Sequence, residues 1–72
     1  MKELTARQKE VLDFIIDFKS KNENSPTLRE IADGVNLRNV KSAVDNVAVL
    51  VKKGYITRTE KMSRSIRVVK TV

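Results

Sequence analysis

The stretch TLREIADGVNLRNVKSAVDNVAVLVKKG, from Thr27 to Gly54, decides the fold of this chain. Thr27 and Glu30 stand at capping-box spacing, where a threonine oxygen takes an orphan backbone N–H and the glutamate reaches back. Pro26 keeps Ser25 extended, so a helix starting at position 28 has a defined beginning. Ile31, Ala32 and Val35 supply its apolar side. Gly34 and Asn36 are the two residue types that leave right-handed geometry most easily, which predicts a turn there. Asn39 suits the N-cap of a second, longer helix that Gly54 ends. On that helix Val40, Ala43, Val47, Leu50 and Val51 share the core face by 3.6-residue periodicity, and Val49 is turned away from it. Lys41, Val44, Asp45, Ala48 and Lys52 occupy the opposite side. Two readings fit: a helix-turn-helix over residues 28–48, or an ordinary helical hairpin solvated on its outer face.

The rest of the chain decides between them. Seventy-two residues allow one small domain, residues 1–72, whose core contributes little net stability, on the order of 3–5 kcal/mol. Cysteine is absent, so there is neither a disulfide nor a thiolate metal site, as fits a reducing, cytoplasmic setting. Histidine is absent too, which removes the usual general base and the commonest metal ligand. No run spans a bilayer, and MKELTARQKE at the start is too charged for a signal peptide.

Fifteen basic residues against nine acidic ones leave a net charge of +6, which favours a polyanionic partner. Position sharpens this. Glu60 is the only acid after Asp45, so the positive half begins with the second helix of the pair.

Upstream, Leu4 precedes another capping box, Thr5 to Gln8, and a helix is predicted from Ala6 to about Lys21. Val11, Phe14, Ile15 and Phe18 repeat at i, i+3, i+4 and i+7, widened by Leu12 and Ile16. Both phenylalanines are expected in the core. SKNENSP is a connection within the domain, whose end at residues 25–27 could lend extended backbone to a sheet edge. Past Gly54 the period changes from 3.6 to 2. Tyr55–Thr59 and Ser65–Thr71 are rich in β-branched and aromatic residues, with Glu60–Arg64 as the loop between them. Two strands are not stable alone, so they pack on the helices. The predicted fold is mostly α with a small β-hairpin: a three-helix winged helix-turn-helix, with the wing over residues 55–71. Arg58, Lys61, Arg64 and Arg67 make that wing basic.

The order LTARQKEVLDFI, SPTLREIADGVNLRN, KKGYI and SRSIRVV resembles the amino-terminal DNA-binding domain of the LexA repressor family over nearly the whole chain. LTxRQ, PTxxEIA, KKGxI and SRxIR carry the resemblance together. It implies a winged helix-turn-helix repressor domain of the DNA-damage (SOS) response, with the second helix of the motif in the major groove. Base contacts would then fall on Asn39, Lys41, Ser42, Val44 and Asp45. Backbone contacts would come from Arg7, Arg38, Lys52, Lys53 and the wing residues Arg58, Lys61 and Arg64. The family often has proline and asparagine where this chain has Val40 and Lys41, and a different set at Val44–Val47, so a different operator is expected. The family's second domain, which carries dimerisation and a self-cleaving serine–lysine site, is not in this sequence. An excised domain or a free-standing relative is expected, mostly monomeric alone and dimeric on DNA within a longer repressor.

Local chemistry gives its own account of the outer face. Lys41 can donate to guanine O6 or N7, or to a phosphate, or stay solvated. Asp45, one turn on, can accept from cytosine N4 or pair with Lys41 at i,i+4. Val44 and Ala48 gain nothing from water there, and contact with a thymine methyl explains them better than core packing. Arg7 is a solvated charge unless its helix end faces DNA.

Catalysis finds no support. Ser42, Ser63 and Ser65 have lysines nearby, but nothing indicates the burial and oxyanion site a dyad needs. With only Gly34 and Gly54 there is no phosphate loop. No catalytic residue, metal, cofactor or small-molecule substrate is expected. The expected partner is a double-stranded DNA operator, with a nucleoid-associated location. The alternative is a winged-helix adaptor or antirepressor that binds protein through the same helix. The basic wing and the polar-plus-methyl face favour DNA.

Overall fold

A computed structural model of the chain describes residues 4–59 and 64–70. Its first helix, α1 (Ala6–Lys21), starts at a complete capping box. The Gln8 N–H donates to Thr5 Oγ1 at 3.2 Å and the Thr5 N–H donates to Gln8 Oε1 at 3.0 Å, satisfying two orphan donors reciprocally. Val11, Leu12 and Ile15 are fully buried along one side. The two phenylalanines are not core residues in the same sense. Phe14 and Phe18 are half-buried and tilted against each other, with ring centroids 5.9 Å apart at the rim of the domain. The arc buried under the other helices is narrower than the apolar stripe, so the wide rings close its edge.

The second helix, α2 (Leu28–Gly34), has the same kind of start. The Glu30 N–H donates to Thr27 Oγ1 at 3.1 Å and the Thr27 N–H donates to Glu30 Oε1 at 2.9 Å. The turn that follows differs from expectation in one respect. Asn36 takes the left-handed conformation, with φ of 62°, whereas Gly34 stays helical as the last residue of α2. Glycine is needed at 34 for room, not for φ. A Cβ there would lie 2.2 Å from Phe14 Cε1, so the missing side chain lets α1 and the end of α2 approach.

The third helix, α3 (Val40–Lys52), is capped by Asn39, whose Oδ1 accepts from the Ser42 N–H at 3.0 Å. It ends in a Schellman arrangement. The Tyr55 N–H donates to the Leu50 carbonyl and the Gly54 N–H to the Val51 carbonyl, each at 3.0 Å, while Gly54 adopts φ of 85°. Ala43, Val47 and Leu50 are fully buried. Val51 is not on the core face as expected: it is 39% exposed, while Val49, expected to point away, is half-buried. The covered arc of α3 extends from its buried centre through Ser42, Asn46, Val49 and Lys53, all half-buried, rather than toward Val51.

Two short strands follow, β1 (Ile56–Thr57) and β2 (Arg67–Val68), antiparallel with Ile56 opposite Val68 and Thr57 opposite Arg67. The ladder is shorter than the predicted strands because other bonds replace it. At one end the Val69 N–H and Lys70 N–H both donate to the Tyr55 carbonyl, at 2.8 and 3.2 Å. At the other, Ser65 Oγ accepts from the Thr59 N–H at 3.1 Å and donates to the Thr59 carbonyl at 2.9 Å. Residues 25–27 form no strand. Instead the buried Ser25 bonds the hairpin through its side chain, Oγ accepting from the Ile66 N–H at 3.2 Å. Ile56 and Ile66 close the core from the hairpin side, giving three helices and a wing as the sequence predicts. The expected loop Glu60–Arg64 and the end of the wing at Thr71 lie outside the described residues, Arg64 excepted.

Candidate nucleic-acid interface

The covered arc of α3 leaves an outward stripe of Lys41, Val44, Asp45, Ala48, Val51 and Lys52, all exposed. Their spacing of three, four, seven, ten and eleven residues from Lys41 keeps them on one side of the helix. The stripe alternates charge and methyl groups. Lys41 Nζ lies 3.7 Å from Asp45 Oδ2, so the two candidate base readers are paired across one turn. Both are well exposed, with side-chain values of 80% and 64%, so the pair is weak enough to open toward a ligand. Val44, beside the pair, and Val51, further along the helix, add partly exposed apolar surface to the same side.

The other expected base contacts sit at the beginning of this helix. Asn39 is exposed, but its Oδ1 is committed to the cap, which leaves the Nδ2 group as its outward donor. Ser42 falls on the half-covered flank beside Asn46, whose Nδ2 donates to the Ser42 carbonyl at 2.8 Å. Ser42 is therefore less directly presented than Lys41 or Asp45.

The cations expected on the DNA backbone divide into two groups. Arg38, Lys52 and Arg58 make no ion pair among the described residues, and the first two are exposed. Arg67, on the wing, is exposed and likewise without an ion pair among them. Three others are engaged within the fold. Arg7 Nη1 donates to the Val35 carbonyl at 3.0 Å and pairs with Glu10 at 3.3 Å, joining the start of α1 to the turn after α2. Lys53 Nζ donates to Gln8 Oε1 at 3.2 Å, joining the same end of α1 to the end of α3. Arg64 makes a bidentate pair with Glu30, Nη1 to Oε1 and Nη2 to Oε2, both at 3.0 Å. Lys61 lies outside the described residues.

The Arg64 guanidinium, and after it the Thr27 N–H, hold the Glu30 carboxyl below the usual glutamate range. Sequence reasoning assigned Glu30 to the capping box alone and Arg64 to the wing alone. No local pattern links residues 34 positions apart. Three further acids, Glu10, Asp13 and Asp17, lie along α1, where Asp13 pairs with Lys9 and Asp17 with Lys21 on solvent-facing turns. Of the serines considered for catalysis, Ser65 is tied to Thr59, Ser42 lies on the α3 flank, and Ser63 lies outside the described residues. Among the described residues no helix is long and apolar enough to cross a membrane.

Comparison with known proteins agrees with this geometry. A LexA repressor of Thermosipho africanus is 53% identical over 70 residues, which covers 97% of this chain and 35% of that protein. One from Thermotoga neapolitana is 43% identical over 72 residues, covering all of this chain and 36% of the relative. One from Myxococcus xanthus is 39% identical over 66 residues, or 92% of this chain and 30% of the relative. The chain thus spans about a third of the length of these curated relatives. Residues 1–65 match the family described as the LexA DNA binding domain. With three helices, a two-stranded wing and an uncovered polar-and-methyl face on α3, the chain belongs to the LexA DNA-binding domain family.

Proposed function

We propose that this chain binds a double-stranded DNA operator as the reading head of a transcriptional repressor that controls DNA-damage (SOS) genes. The exposed stripe on α3 carries the reading. Lys41 and Asp45 offer a donor and an acceptor one turn apart, and Val44 and Ala48 set methyl groups beside them, which is the chemistry of major-groove base edges. With α3 in the groove, Asn39 and Ser42 reach bases near its start. Arg38, Lys52 and Arg58 take phosphates on either side, with Arg7, Lys53 and Lys61 adding to the positive rim. Their role is positional and independent of sequence.

The relatives' printed name, LexA repressor, supports repression as the outcome, and a DNA-bound repressor would be cytoplasmic and nucleoid-associated. Catalysis has no part in this reading. The 72-residue chain alone is a monomer that holds one half-site weakly, and a dimeric context links two half-sites and raises affinity through effective concentration. Selection of bound duplexes from a random pool tests the proposal. A recovered consensus, bound with an affinity that falls steeply with salt, supports it. Recovery without consensus and without salt dependence refutes it.

A further inference from the structure

We propose that Glu30 is a positioning residue for DNA binding: its bidentate pair with Arg64 latches the wing to the start of α2, so that recognition helix and wing engage a duplex as one rigid piece. The inference rests on the DNA-binding reading above and adds a residue that never touches the duplex.

Three observations converge on the latch. The first is its geometry. Each terminal guanidinium nitrogen donates to its own carboxylate oxygen at 3.0 Å, an arrangement with angular specificity that a single ammonium contact lacks. Second, Arg64 Nη1 also donates to the Ser25 carbonyl at 3.1 Å, and Ser25 Oγ accepts from the Ile66 N–H at 3.2 Å. The same short segment before α2 thus grips the wing at 64 and at 66. Third, the Arg64 backbone has φ of 56°, a left-handed conformation that non-glycine residues hold only where surrounding contacts over-determine it.

Glu30 is suited to the task because its own position is fixed. Its Oε1 accepts from the Thr27 N–H at 2.9 Å, so the carboxylate is pinned to the helix start before Arg64 arrives. The wing has only a two-residue ladder of its own, and its root is held by the buried Ile56 and Ile66. The latch adds a hold at residue 64, on the outer side of that root. With the buried Ile56 and Ile66, the latch restrains where Arg58 and Arg67 stand relative to Lys52 on α3. The competing account makes Arg64 a direct phosphate ligand and Glu30 a nearby acid. The two accounts give opposite signs for removing the acid.

The test compares the parent chain, Glu30→Gln, Arg64→Gln and the double variant on the duplex that the parent selects from a random pool. Affinities are read at a temperature where circular dichroism shows all four folded. Glutamine at 30 keeps an acceptor for the Thr27 N–H, so the helix cap survives. The latch predicts that each variant binds about fivefold more weakly, about 1 kcal/mol at 1.4 kcal/mol per decade, with the double no worse than either single. Tighter or unchanged binding by Glu30→Gln overturns the latch, as does a double variant with additive losses. A lowered melting temperature with unchanged affinity also overturns it, leaving only a structural pair. A parent that selects no duplex overturns the DNA reading and the latch together. A parent that binds while Glu30→Gln matches it removes the latch alone.

Discussion

Gly34→Ala is the substitution whose cost follows most directly from the geometry. An added Cβ would sit 2.2, 2.5 and 2.8 Å from three atoms of the Phe14 ring, inside any real carbon–carbon contact. Because the ring is at the rim, it can swing outward, but that gives up its packing and its tilted contact with Phe18. Overpacking of this kind costs about 1–3 kcal/mol, and the helix preference of alanine over glycine returns up to about 1 kcal/mol. The net loss is about 1–2 kcal/mol. For a domain of this size that lowers Tm by about 5–15 °C. Urea or thermal unfolding followed by circular dichroism measures it. Gly34→Ala combined with Phe14→Leu should recover much of the loss that Gly34→Ala causes, because the smaller side chain vacates the Cβ position. A neutral or stabilising Gly34→Ala would refute the close-approach account and return Gly34 to an ordinary helix-end role.

Replacing Lys52 by alanine should weaken binding to every duplex by a similar factor and reduce the slope of log affinity against log salt by about 0.9, measured by salt titration. Asn39→Ala should cost about 1 kcal/mol of stability through the lost cap of α3, read from the unfolding midpoint. Acid should selectively remove the contribution of Glu30. Its folded pKa is depressed by Arg64 and then Thr27, so the contribution is present above the usual glutamate range and disappears as pH falls through the depressed value. The stability difference between parent and Glu30→Gln should therefore be constant near neutrality and shrink in acid, and a pH-independent difference would contradict this.

What the sequence made legible was local. Both capping boxes, the Asn39 cap and the helix stop at Gly54 are determined by residues within a few positions of one another, and each stands where expected. The change of period after Gly54 placed the wing. What was not legible depends on partners distant along the chain. Gly34 offers conformational freedom in sequence, but the reason for it is the Phe14 ring arriving from α1. Val49 and Val51 are equivalent as residues, and only the positions of the neighbouring elements decide that the covered arc of α3 runs toward Val49. The phenylalanines match the helical stripe, yet the helices bury only its centre. Arg64 is one more wing cation in the sequence and is a clamp in the fold.

The outward face of α3 is the central claim, and the base preferences of Asp45→Ala test it most directly. Parent and variant are each put through selection from the same random pool, and their affinities are measured on the parent's best duplex and on an unrelated one. The account predicts that preference changes at one base pair, with a loss of about 1–3 kcal/mol on the best duplex. Binding to the unrelated duplex should be unchanged or slightly tighter, because a carboxylate near the phosphates has been removed. An unchanged consensus, with all duplexes weakened alike, would contradict base reading by this face.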